Sequence, residues 1–214
     1  MIPRRALLAG GIGITAGGAA ASPVPAGDSL AFRLVRHGTE IGRHTLTFAH
    51  QGDALSVHIA VAARVTFLSL PIVRYVHQAV ETWNGDTLSG LSGEADRNGE
   101  HDWVRAQRTS AGLVVVGSKA RQYLAPASAL GSSYWNRQGL DGPMVSLEDG
   151  VLLRPTVTRG AVEAIRLASG AAIPARRYSL RGAIDVDVWY DDADTWAGMA
   201  FAVIDGSTVR YERL

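Results

Sequence analysis

At 214 residues the chain suits one domain, and a hydrophobic content of 47% is ample for a packed core. It contains no cysteine, which excludes disulfides, thiolate metal sites and lipidation at a cysteine. The formal net charge is +1, and without residues 1–26 the balance is 19 basic against 20 acidic residues, which argues against a nucleic-acid partner.

Arg4 and Arg5 stand directly before a weakly apolar, Gly- and Ala-rich run from Ala6 to Ala21. A basic start, an apolar middle and a small-residue exit make a signal peptide over residues 1–26. The paired arginines resemble twin-arginine (Tat) signals, so the Tat export machinery is the expected partner of this segment and the expected location is periplasmic or secreted. Cleavage after Ala21 and cleavage after Ala26 both satisfy the small-residue requirement. The apolar run falls short of the ~20 residues a membrane-spanning helix needs. Residues 27–214 are then the mature domain.

From Leu30 the pattern is that of strands. Leu30, Phe32 and Leu34 alternate with polar or small residues, a turn-like break follows at Gly38–Gly42, and His44, Leu46 and Phe48 resume the alternation. Gln51-Gly52-Asp53 turns the chain before Leu55, Val57, Ile59 and Val61. Between Thr66 and Trp83, Pro71 cannot donate to a ladder and predicts an edge, bulge or break. Beyond it Tyr75, His77, Ala79, Glu81 and Trp83 share one parity, and so one face of an unbroken strand. Asn84-Gly85-Asp86 and Asn98-Gly99 are hairpin signals. His101–Arg108 and Gly112–Gly117 read as two short strands, the second a continuous Val114-Val115-Val116 run suited to cover on both faces.

Ala125–Gly131 is the least strand-like stretch after the leader and suits one helical turn, with Pro near its start and Gly at its exit. Ser133-Tyr134-Trp135-Asn136 puts two large aromatics beside an amide, as expected of a segment folded over a sheet. Glu148-Asp149-Gly150 is a turn, and Ala161–Leu167 and Ile173–Leu180 are further strands. Arg176-Arg177 reads as solvated strand-edge charge. The chain closes on a three-stranded meander. Val186, Val188 and Tyr190 alternate with Asp185, Asp187 and Trp189, and Asp191–Asp194 forms a loop. Ala197, Met199, Phe201 and Val203 make the next strand, Asp205-Gly206 a type I′ turn, and Val209 with Tyr211 the last strand. The fold class is therefore all-β: a single curved antiparallel sheet or partly open β-barrel of meander hairpins, with roughly nine to twelve strands judged from the turn spacing.

Several short motifs together resemble an uncharacterised proteobacterial family of exported all-β proteins. They are the Gly38/Gly42 hairpin, Tyr75-Val76-His77 with Glu81-Thr82-Trp83, Ser133–Asn136, and the closing Val188–Asp191 to Asp205-Gly206. That closing piece is also similar to the end of the periplasmic carriers that ferry lipoproteins to the outer membrane. Those carriers are curved antiparallel sheets, partly closed by helices, that hold acyl chains. No lid helices are legible in this sequence, and the first family brings no activity with it.

Residue patterns that carry chemistry are sparse in this chain. His77 and Glu81 are the best pair for acid–base work or a metal, but lie about 13 Å apart on an unbroken strand. A metal would need a further ligand from a neighbouring strand, with His44 or His58 as donors. The acids Asp185, Asp187, Asp191, Asp192 and Asp194 lack the order of a calcium loop. Gly90-Leu91-Ser92-Gly93 fails the nucleophile-elbow spacing, and no glycine-rich phosphate loop opens a helix. Neither a cofactor nor a metal is therefore expected. Trp83, Trp135, Trp189 and Tyr190 form either the wall of a cavity or the plug of a small barrel.

The leading expectation is a non-enzymatic periplasmic protein that binds a hydrophobic or lipid-like ligand in the concave face of the sheet. Its candidate ligand-binding residues are Tyr75, His77, Glu81, Trp83, Tyr134, Trp135, Asn136, Trp189 and Tyr190. The alternatives are an enzyme centred near His77 and Glu81, and a structural envelope protein acting through partners.

Overall fold

The computed structural model describes residues 24–25, 27–67 and 70–214, with backbone alone at 66–67 and 70–72. The expected leader lies, but for Val24 and Pro25, outside the described residues. The first half is a meander: β1 (Ser29–Arg36), β2 (Thr39–Gln51), β3 (Ala54–Phe67), β4 (Leu70–Asn84), β5 (Thr87–Arg97), β6 (Glu100–Thr109), β7 (Gly112–Gly117) and β8 (Ala120–Leu124). A connection, residues 125–155, carries only β9 (Leu130–Gly131), a 3-10 turn (Arg137–Asp141), β10 (Met144–Val145) and β11 (Leu152–Leu153). A second meander follows: β12 (Thr156–Arg166), β13 (Ala172–Arg181), β14 (Val186–Tyr190), β15 (Trp196–Ala202) and β16 (Thr208–Arg213).

The last strand returns to the first. β16 pairs antiparallel with β1, Leu34 opposite Tyr211, and so joins the two meanders into one sheet ordered β12-β13-β14-β15-β16-β1-β2-β3-β4-β5-β6-β7-β8. The sheet has 13 strands, more than the turn spacing suggested, because long hairpins such as β3–β4 and short ones such as β7–β8 both contribute. It does not close into a barrel: β8 and β12 are its two edges. The connection leaves one edge and arrives at the other, so it must cross the sheet. It does so over the concave face, where it forms a cap.

Alternation decides which side chains meet that cap. Leu46 and Phe48 of β2, Val57, Ile59 and Val61 of β3, Val104 of β6 and Val188 of β14 are buried on the inner face. Their neighbours along each strand, such as Thr45, Thr47, His58 and Gln78, are exposed. Register irregularities at Leu34/Val35, Thr82/Trp83, Val115/Gly117 and Trp189/Tyr190 add the local twist that lets so wide a sheet curl. The Pro71 expectation is met by a register shift between Val65 and Thr66, the latter opposite Pro71.

Three local expectations change. The first hairpin turns at His37-Gly38, both with positive φ as a type I′ turn requires, and Thr39–Gly42 already belongs to β2. At Asp205-Gly206 only Gly206 has positive φ, and Gly206 N–H bonds Val203 O at 2.8 Å. That is a longer loop with a glycine bulge, so β15 ends at Ala202, before Val203. Ala125–Gly131 forms a turn closed by Ala129 N–H on Pro126 O at 2.9 Å, then β9, instead of a helical turn. The helical turn comes at Arg137–Asp141, because Asn136 Oδ1 accepts from Gln138 N–H at 3.0 Å and caps it.

Candidate functional site

The face of β4 bearing Tyr75, His77, Ala79, Glu81 and Trp83 looks into the concave side, as the strand parity requires. Glu81 is fully buried there. Its Oε2 accepts from Trp135 Nε1 of the cap at 2.8 Å and from Trp83 Nε1 at 3.1 Å. The two indoles meet edge to face with centroids 5.4 Å apart, and Phe48 packs on Trp135 at 5.3 Å. Among the described residues Glu81 Oε1 has no hydrogen-bond partner. It lies against Gly131 of β9, where any Cβ would overlap that oxygen. Burial holds the Glu81 carboxyl above the usual carboxylate range, against the opposing pull of Trp135, Ser133 and Trp83.

Further along the same strand a polar rim begins. His77 Nε2 donates to Leu147 O of the cap at 3.1 Å, which keeps the ring proton on that nitrogen. Tyr75 hydroxyl donates to Glu148 Oε1 at 2.7 Å. Arg97 stands over the Tyr75 ring at 5.3 Å and reaches Glu148 Oε2 at 3.4 Å. Burial pushes the Tyr75 hydroxyl up, with the Glu148 charge second. Burial also lowers the pKa of His77, which Glu148 partly offsets.

His44 lies two strands away from His77, with Val61 between them in register. It is boxed by aromatics: Trp196 at 5.2 Å, Tyr211 at 5.7 Å and Phe32 at 6.3 Å between ring centroids. Neither ring nitrogen has a hydrogen-bond partner among the described residues, and burial lowers its pKa to about 3, His77 adding to the effect. Tyr134 of the cap completes the box on Trp196 at 5.9 Å. Its φ of +64° is unusual for a bulky residue. Its carbonyl accepts from the Tyr190 hydroxyl at 2.7 Å.

Eight of the nine candidate residues thus belong to the inner face or to the cap over it. Trp189 does not join the apolar wall. It sits between inward Val188 and Tyr190, so its ring lies on the outer face, where Nε1 donates to Glu163 at 3.2 Å and Arg177 stacks at 5.8 Å. Asn136 is drawn in by the cap, but its side-chain oxygen is spent on the 3-10 turn. The remaining aromatics fill space against one another: Trp83, Trp135 and Tyr190 are 4%, 2% and 1% exposed. His77 and Glu81 engage different partners and do not act on each other. Among the described residues no group of three His, Asp or Glu side chains is placed to hold a metal. His58 is on the outer face, lining a trough of about 410 Å³ with Thr47, Gln78, Ser92, Glu94 and Arg105.

Three of the five acids, Asp187, Asp191 and Asp194, are answered by arginines. Asp187 pairs with Arg177 at 2.6 Å and Arg181 at 2.7 Å, Asp191 with Arg213 at 2.9 Å, and Asp194 with Arg137 of the cap at 3.1 Å. Arg177, expected as solvated charge, is therefore held in a cross-strand network. Asp191 Oδ1 also accepts from Ala193 and Thr195 N–H, which closes the loop.

Sequence reasoning missed Glu148, Arg97, Trp196 and Tyr211 as parts of this site. Arg97 was within reach: the Asn84–Asp86 hairpin brings it opposite Tyr75, once the register shift at Thr82/Trp83 is allowed for. Glu148 had no local signal, since it sits in a turn 73 residues from Tyr75.

The chain belongs to the family described as Domain of unknown function (DUF6134), which matches residues 32–214. No curated protein and no solved structure matches the chain.

Proposed function

We propose that this DUF6134 member is an exported periplasmic protein, not an enzyme, which binds a hydrophobic or lipid-like ligand on the concave face of its sheet when residues 125–155 lift away. The observation that carries this reading is the interface between cap and sheet. One connection with little regular structure packs onto the apolar face at Phe48, Glu81 and Trp196. Beneath it, Glu81 Oε1 and both His44 nitrogens are buried without partners among the described residues. Leaving such groups unpaired costs about 1–3 kcal/mol each, so the closed arrangement is not the best one available to them. Pairing with a ligand or with solvent in an open arrangement relieves that cost.

The likeness of the closing strands to the lipoprotein carriers supports the same ligand class, with an irregular cap in place of their helical closure. The paired arginines before the Gly- and Ala-rich run support Tat export. The acid–base alternative is weakened by the separate partners of His77 and Glu81. The alternative of an envelope component that recruits strands at a free edge is weakened at β12. That edge is bulged at Arg159/Val162 and charged by Arg159, Glu163 and Arg166, features that discourage edge pairing.

The test is native mass spectrometry of the mature protein from periplasm, with metal analysis of the same sample. The expected result is an added mass that organic solvent strips as lipid. A stoichiometric metal would move the reading to a metal-dependent enzyme. A bare polypeptide mass that also takes up no apolar probe would overturn it.

A further inference from the structure

We infer that the Glu148 carboxylate occupies a carboxylate-binding position built into the sheet, and that the ligand of the concave face is an amphiphile with a carboxylate head group. This rests on the binding function proposed above and names the chemistry of its ligand. Glu148 belongs to the cap, whereas both groups that receive it belong to the sheet. Tyr75 of β4 donates its hydroxyl to Oε1 at 2.7 Å, and Arg97 of β5 addresses Oε2 at 3.4 Å. Each carboxylate oxygen has its own donor, and the guanidinium is steadied over the Tyr75 ring. The short Tyr75 bond to an ionised oxygen is the strong one, and the longer, exposed Arg97 contact adds a matching charge.

The neighbours of Glu148 lead from head group to tail. Leu147, next to it, gives its carbonyl to His77 and buries its side chain. Val145, Met144, Leu140 and Trp135 of the cap continue as apolar cover over the inner face. A carboxylate at the rim followed by buried apolar groups has the arrangement of a fatty acid. If the cap lifts, Tyr75 and Arg97 lose their carboxylate and the apolar face loses its cover together. One molecule that supplies both replaces what the cap supplied.

The experiment uses purified, delipidated mature protein, titrated by calorimetry with dodecanoate, dodecanol and dodecyl phosphate below their micelle thresholds. Dodecanoate is expected to bind at least tenfold more tightly than dodecanol. Arg97→Gln, at an exposed side chain, and Tyr75→Phe should each reduce the preference for dodecanoate over dodecanol several-fold, because both ligands gain equally from a loosened cap and only the carboxylate loses a donor. Glu148→Gln should tighten dodecanoate several-fold by removing the internal competitor. Equal binding of acid and alcohol, indifferent to these variants, would overturn the head-group assignment and leave the binding function standing. Dodecyl phosphate binding more tightly than dodecanoate would replace carboxylate by phosphate. No binding of any probe, to the parent chain or to Glu148→Gln, would overturn both the head group and the function.

Discussion

His44 should make the protein acid-sensitive, and by a calculable amount. Its folded pKa of about 3 lies below its ordinary value of 6.5 because the ring is enclosed by Phe32, Trp196 and Tyr211, with no acceptor among the described residues for an added proton. A group whose pKa is depressed on folding contributes stability in full above the unfolded value and loses it as pH falls through the folded one. Between pH 6.5 and 3 the unfolded chain takes up a proton that the folded chain refuses. Linkage gives a loss of about 2 kcal/mol by pH 5 and about 3 kcal/mol by pH 4. His44→Phe keeps an aromatic ring in an aromatic box and removes the titration. The assay is urea unfolding of parent and variant at pH 7 and pH 5. The double difference should favour the variant by about 2 kcal/mol at pH 5, whatever the packing change does at pH 7. A double difference of zero would mean that His44 is hydrated or partnered in the folded protein, and would refute the reasoning.

Glu81 acts with the opposite sign. Its folded pKa is raised above the ordinary 4.5, so its own contribution to stability is greatest below 4.5 and falls as pH rises toward the folded value. Glu81→Gln should flatten that decline in pH-dependent unfolding, while Oε2's role toward Trp83 and Trp135 passes to the amide oxygen; an unchanged slope would count against a protonated Glu81. Gly93→Ala tests the seat of the cap, since a Cβ there would overlap Leu147 O, a backbone atom that cannot rotate aside. Overpacking of this kind costs about 1–3 kcal/mol. It should raise hydrogen exchange over residues 144–150 without disturbing β14–β16, and uniform exchange across the chain would contradict a locally seated cap.

Much of the fold was legible because alternation and turn chemistry are local. The parity of Tyr75, His77, Glu81 and Trp83 on β4, the Asn98-Gly99 turn and the Asp191–Asp194 loop all follow from a few neighbouring residues. The same parity also puts Trp189 on the face opposite Tyr190, so its exclusion from the inner wall was readable before any coordinates. The Asp205-Gly206 loop was harder, because the dipeptide suits both a two-residue turn and a glycine bulge, and the pairing of β15 with β16 chooses between them.

By itself the sequence determined an all-β chain of meander hairpins, the inward face of each strand and the absence of any thiol chemistry. Tertiary structure alone decided that β16 returns to β1, that residues 125–155 cross from one sheet edge to the other, and that Trp135 meets Glu81 while Glu148 meets Tyr75 and Arg97. The reason is range. Backbone pleat and turn preference act over two to four residues and leave a period in the sequence. A carboxylate brought to a hydroxyl from 73 residues away leaves none, because only closure of the whole sheet sets that distance.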